Sequence, residues 1–205
     1  MGNYGERSYN PDGHEAEVKA FGMPSGVETM PNAEFRERYP YIPVDPEHIK
    51  AERETAREDV RRATVPRVLI EGLPAKGGPT KPIAHLAGML RYYVAQGLPK
   101  GLDAHFFTSV HTILDHRYKT DAFIDIVAVD PQSGERTILG TITYDCSKID
   151  KGTISLDRAD VEFQFNPEDI DHKLEKERFK EKVDYIVGLT MDVIESKQIL
   201  TMQEQ

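Results

Sequence analysis

The sequence predicts an α+β domain: an antiparallel β meander packed with a central helix and a long C-terminal helix, preceded by an extended N-terminal arm. Three observations carry that expectation. Residues 123–165 hold β-rich stretches separated by turn chemistry, and helical apolar stripes lie on either side of them. Residues 1–45 keep neither a period of 2 nor one of 3.6, and Pro11, Pro24, Pro31, Pro40 and Pro43 punctuate them.

In chain order, residues 1–45 read as the arm, 46–64 as a charged docking helix and 65–205 as the α+β domain. Asp45-Pro46-Glu47 is helix-start chemistry: a capping Asp, Pro at the first position and an acid in the first turn. Over 47–62 only Ile49, Ala56, Val60 and Ala63 form a stripe, too thin for a helix to stand alone. The stripe therefore needs a surface, and a neighbouring subunit is one candidate. Val65–Glu71 reads as a short strand, residues 72–81 as a Gly/Pro loop, and Pro82 opens a helix with Ile83, Leu86, Leu90, Tyr93 and Val94 on one face. Residues 103–118 fit either helix or strand. Phe123–Val129 is an apolar strand, and Asp130-Pro131-Gln132-Ser133-Gly134-Glu135 is a hairpin turn. Thr137–Cys146 alternates, with Ile138, Ile142, Tyr144 and Cys146 on one face. Thr153–Phe165 supplies a third strand, broken where the apolar parity flips at 157–160. Asn166-Pro167-Glu168-Asp169 then caps a helix whose stripe is Val183, Ile186, Val187, Thr190, Val193 and Ile194.

Composition narrows the function. The chain has 205 residues, 39% hydrophobic and 30% charged, with a formal net charge of -9. Tight binding to nucleic acid through a broad basic face is disfavoured, because phosphate contact needs clustered Lys and Arg. With Cys146 alone, neither an internal disulfide nor a Cys-based zinc site can be built. No apolar run reaches the ~18 residues of a membrane span, and the N-terminus lacks a signal peptide's apolar segment. The expectation is an intracellular protein without a membrane partner.

Each chemical motif has a bland competitor. Gly72-Leu73-Pro74-Ala75-Lys76-Gly77 has the outline of a phosphate loop, but Gly78-Pro79 stand where Lys and a hydroxyl residue are required. A connecting loop is the better reading. Asp125, Asp145 and Lys148 could form a magnesium-dependent nuclease site, two acids holding the ion and the lysine stabilising developing charge. The three-residue spacing from Asp145 to Lys148, however, puts those two on opposite faces of a strand. His105, His111 and His116 fit no zinc spacing and read as structural, and Cys146 as a small core residue. No catalytic residue, cofactor or metal ligand is assigned.

Three segments carry a family resemblance: Ile138-Leu139-Gly140-Thr141-Ile142, then Gly152-Thr153-Ile154-Ser155-Leu156-Asp157, then Val161-Glu162-Phe163-Gln164-Phe165. Over residues 121–165 the chain resembles the tail tube proteins of contractile-tailed bacteriophages and the related type VI secretion tube. The resemblance implies a virion structural protein of the tail tube, neck or tail-completion kind, non-enzymatic and homo-oligomeric. Its partners would be copies of itself and neighbouring virion proteins. It would be assembled in the host cytoplasm, and its negative balance would let DNA pass without sticking. Within that reading the arm and helix residues Tyr4, Tyr9, Phe21, Phe35, Tyr39, Tyr41, Ile49 and Val60 are the expected subunit-interface anchors. The alternatives are the nuclease above and a cellular protein-interaction module.

Overall fold

Turn chemistry and strand alternation set the central layer of the protein. The structure is a computed structural model, described for residues 17–38 except 19, 25, 26 and 31, and for 46–71, 85–147, 159–164 and 176–200. Its elements are α1 (Asn32–Arg38), α2 (Pro46–Glu71), α3 (His85–Gly97), β1 (Leu102–Thr108), α4 (Ile113–Tyr118), β2 (Ala122–Val129), β3 (Arg136–Ser147), β4 (Val161–Gln164) and α5 (Lys176–Ser196). The expected α+β class is the one observed. The β2–β3 turn forms as its residues dictate: Asp130 Oδ1 accepts from the amides of Gln132 and Ser133, both at 2.7 Å, and Gly134 takes φ 72°.

The sheet order is β1-β2-β3-β4, antiparallel across the first three strands. β4 runs parallel to β3, so the expected antiparallel meander ends at β3. Alternation along a strand reports which face is buried, not the direction of a partner strand. A parallel pairing also needs a connection that returns to the starting end, here residues 148–160. The expected strand at 153–158 and the cap at 166–169 lie outside the described residues, as does the loop at 72–81.

One face of the sheet presents Ala104, Phe106, Ile124, Ile126, Ile142, Tyr144 and Cys146 to α3 and α5, whose Leu86, Leu90, Val94, Val183, Ile186 and Ile194 complete the main core. The α5 stripe is buried at Phe179, Val183, Ile186, Thr190 and Ile194, as its period requires. Thr190 donates to Ile186 O, and the Tyr144 hydroxyl meets Thr190 Oγ1 at 3.0 Å, so this buried polar pair is satisfied. On the opposite face Phe107 and Phe123 stack at 4.9 Å and pack with Ala56 and Val60 of α2 and Leu114 and Tyr118 of α4. The region 103–118 resolves into β1 and α4, with Thr112 capping α4 by accepting from Leu114 N.

The outer edge of β1 is closed by side chains. Ala104 N donates to Asp103 Oδ1 at 2.8 Å, Arg91 Nε donates to Ala104 O at 2.9 Å, and Thr108 Oγ1 donates to Gly22 O at 2.8 Å. The outward amide and carbonyl of Ala104, two groups that would template another strand, are thus already engaged.

Three expectations are corrected. The N-terminal segment is not outside the core: Phe21 is 2% exposed, with its ring 5.8 Å from Phe106 and 5.9 Å from Phe163. Phe35 is buried against His116 with centroids 4.7 Å apart, and Met30 is held by its amide to His111 O and its carbonyl to His116 Nε2. A segment lying across a sheet inserts anchors one at a time, so it joins a core without any period. Second, the docking surface of α2 is the chain's own sheet, with Val60 1% exposed and Ile49 half-buried there. Third, Val65–Glu71 is the last part of α2, where continuation of an established helix overrides local β preference. Phe21→Ala should therefore destabilise the chain by ~3–5 kcal/mol in a denaturant melt. An unchanged melt would return the segment to the status of a detachable arm.

Candidate functional site

Between α2 and the sheet, the polar side chains fall into two groups. In the first, Arg61 of α2 reaches Asp125 of β2 in a two-pronged pair, Nε to Oδ2 at 2.8 Å and Nη2 to Oδ1 at 2.9 Å. Thr141, opposite Asp125 in the ladder, donates to Asp125 Oδ1 at 2.7 Å and accepts from Arg61 Nη2 at 3.1 Å. Glu54 and Glu58 take the remaining nitrogen, Nη1, at 2.7 and 2.6 Å. Burial alone would depress the Arg61 guanidinium, but Asp125, Glu54 and Glu58 outweigh it and raise its pKa. Beside it, α2 is tied to α4 through Glu52, which pairs with Arg117 and accepts from the Tyr118 hydroxyl at 2.5 Å. Burial and then Glu52 push that hydroxyl up to about 12.

The alternative reading, a nuclease using Asp125, Asp145 and Lys148, finds no support at its two acids, which are not brought together. Asp125 is occupied by a guanidinium that would repel a cation. Asp145 lies four residues along β3 from Asp125's partner Thr141, a distance of about 13 Å at strand rise. Lys148 lies outside the described residues.

Asp145 instead neighbours the second group. Ala122 pairs with Tyr144, so one step further Asp121 comes beside Asp145. Asp121 N donates to Tyr144 O at 2.8 Å, and Cys146 N donates to Asp121 Oδ2 at 2.6 Å. Glu17 from the N-terminal segment and Asp115 from α4 complete the group, with carboxylate oxygens of Glu17, Asp115 and Asp121 within 4.8 Å of one another. Asp115 Oδ2 accepts from His111 N at 2.7 Å. Burial first, then Asp115, Glu17 and Asp145, push the Asp121 pKa well above the carboxylate range, against the pull of the Cys146 amide. Burial, reinforced by Asp121, Glu17 and Asp145, also raises the Cys146 thiol, which sits in the main core as expected.

Chemically, three converging carboxylates on three elements can share a proton or furnish oxygen ligands to a hard divalent cation such as Mg²⁺ or Ca²⁺. They are the wrong donor set for zinc. From the sequence Asp115 stands out only as a group that could orient His111 or His116, and neither Asp121 nor Glu17 stands out at all. A register count from the Asp130 turn sets Asp121 against Tyr144, and only the bulge between Ile126 and Val127 moves it beside Asp145; nothing local announces Glu17. The three histidines serve separate ends: His116 holds Met30, His105 lies 3.5 Å from Asp103, and His111 takes φ 66° at the turn before α4.

Among the expected interface anchors, Phe21, Phe35 and Val60 are buried and Ile49 half-buried within the chain itself, while Tyr4, Tyr9, Tyr39 and Tyr41 lie outside the described residues. No protein-family model matches this chain, and no curated protein or solved structure is significantly similar to it.

Two outcomes follow. Arg61→Ala should destabilise by ~3–5 kcal/mol, because Asp125 is left buried and unpaired. Asp121 has a folded pKa above its unfolded one, so its contribution is fully present below the unfolded value and is lost as pH rises through the folded one. Asp121→Asn in chelator-treated buffer should therefore gain stability relative to the parent as pH is raised from 4 to 8.5. Parallel pH–stability curves for the two proteins would mean that the carboxylates do not interact as placed.

Proposed function

We propose that this chain is a non-enzymatic structural subunit of a large homo-oligomeric assembly, of the bacteriophage tail or neck kind, with copies of itself and neighbouring virion proteins as partners. The observation that carries the oligomeric reading is a surface groove of about 440 Å³ between α5 and β4, with Val161, Leu189 and Val193 beside Tyr185, which is 55% exposed. Tyr185 is exposed there beside the partly buried Leu189 and Val193, and Asp160, Glu162 and Asp192 also line the groove, next to the last strand of the described sheet. The virion assignment rests on the resemblance of the β3 and β4 segments. The parallel pairing of β3 with β4 departs from the meander which that resemblance implies, so the groove carries more weight than strand order.

Assembly in the host cytoplasm and passage of DNA along an acidic surface belong to the same proposal; the net charge of -9 supports the second. Among the described residues no helix is long and apolar enough to cross a membrane.

A different observation favours a second reading, a magnesium-dependent hydrolase of phosphodiesters. Its residues would be Glu17, Asp115 and Asp121 around the ion, in place of the Asp125 set, with Asp145 alongside. Sedimentation and electron microscopy of the purified chain should reveal discrete oligomers that grow with concentration. Incubation with single- and double-stranded DNA plus Mg²⁺ or Mn²⁺ should yield no cleavage. A monomer at every concentration would sink the assembly reading, and cleavage abolished by Asp121→Asn would put the hydrolase in its place.

A further inference from the structure

The outward face of α5 carries a charge pattern that its length alone does not require. Residues 176–182 hold four basic side chains (Lys176, Arg178, Lys180, Lys182) against two acidic ones, Glu177 and Glu181. Residues 183–196 hold three acidic side chains, Asp184, Asp192 and Glu195, and no basic one. At helical spacing Arg178, Lys182, Tyr185, Leu189 and Asp192 follow one another along a single stripe, about a third of a turn around the helix from the buried Val183, Ile186, Thr190 and Ile194. Basic groups thus occupy one end of the stripe, an acid the other, and an exposed tyrosine the middle. Lys182 Nζ lies 5.7 Å from the Tyr185 ring centroid, so both are directed to this face.

This order is the reverse of itself. Turned end over end about residue 187, the stripe sets Lys182 against Asp192 and Tyr185 against Leu189, twice each. Gly188 adjoins the crossing, and a Cβ built there would meet nothing within 4 Å. Two helix backbones can therefore approach closely at that point, while the groove beside Leu189, with Glu162 and Val161 on its far wall, lies open to the tyrosine of the other copy.

We propose that α5 is a two-fold, antiparallel docking surface for a second copy of this chain, with Tyr185 seated in the partner's groove between α5 and β4 and Lys182 paired across to Asp192. The inference deepens the homo-oligomeric reading and depends on it. The contact is isologous: the same patch serves both sides, as symmetry requires of a two-fold pair.

The test is sedimentation equilibrium of the full chain. Each charge pair occurs twice, so Lys182→Asp or Asp192→Lys should weaken the dimer about tenfold. The double variant Lys182→Asp/Asp192→Lys should restore parental affinity, because the swap recreates both pairs. Tyr185→Ala should also weaken the dimer, and raising the salt should weaken the parent more than either single charge variant. None of the three positions is buried, so unchanged melting temperatures separate a lost contact from a lost fold. Oligomers that persist unaltered in every variant overturn the α5 surface and leave the assembly reading standing on another face. A parent that never self-associates overturns both.

Discussion

The guanidinium of Arg61 sits where α2 crosses the sheet, and oxygens from both layers converge on it: Asp125 and Thr141 from the strands, Glu54 and Glu58 from the helix itself. Among the described side chains of α2, Ala56 and Val60 are the buried members of the smaller core. Such a helix would slide or rotate if hydrophobic area alone held it. A planar guanidinium facing a carboxylate in two-pronged geometry admits one register and one rotation. Desolvating both charges offsets much of their attraction, so the pair specifies position more than it adds net stability. The burial of Phe123 beneath Arg61 and the docking of α4 through Glu52 both presuppose that placement.

Legibility in the sequence followed the apolar period. Ile142, Tyr144 and Cys146 were readable as an inward face, as were Leu86, Leu90 and Val94, because burial of a regular element imprints its repeat on the residues. Phe21, Phe35 and Met30 were not readable. They enter cores from irregular backbone, where each position answers to a different pocket. The parallel direction of β4 was equally hidden, since Val161 and Phe163 alternate in the same way whichever way the neighbour runs. Candidate site residues fared worst. Asp125 could enter the alternative nuclease reading because nothing in its surroundings announces that a side chain 64 positions earlier will pair with it. Glu17, Asp115 and Asp121 come from three separate stretches and meet only after the sheet and α4 are in place.

That meeting joins the N-terminal segment to the sheet in a second way. Phe21 and Met30 attach it by packing and backbone bonds, whereas Glu17 brings a negative charge toward carboxylates that already crowd one another. Attachment of the segment is thus opposed locally by charge and favoured elsewhere by burial. Anything positive that enters the cluster, a proton included, tightens the hold of the segment on the domain.

The stoppered edge of β1 has a consequence for how far this protein can polymerise. A growing chain of sheets needs two reactive ends on every unit, one to accept a strand and one to offer it. Asp103, Arg91 and the Gly22 carbonyl occupy one of those ends. A unit of valence one can couple once and then stops. Strand-on-strand growth is therefore hindered at the middle of β1. Extension beyond a pair is then easier through side-chain surfaces, whose geometry can close a ring.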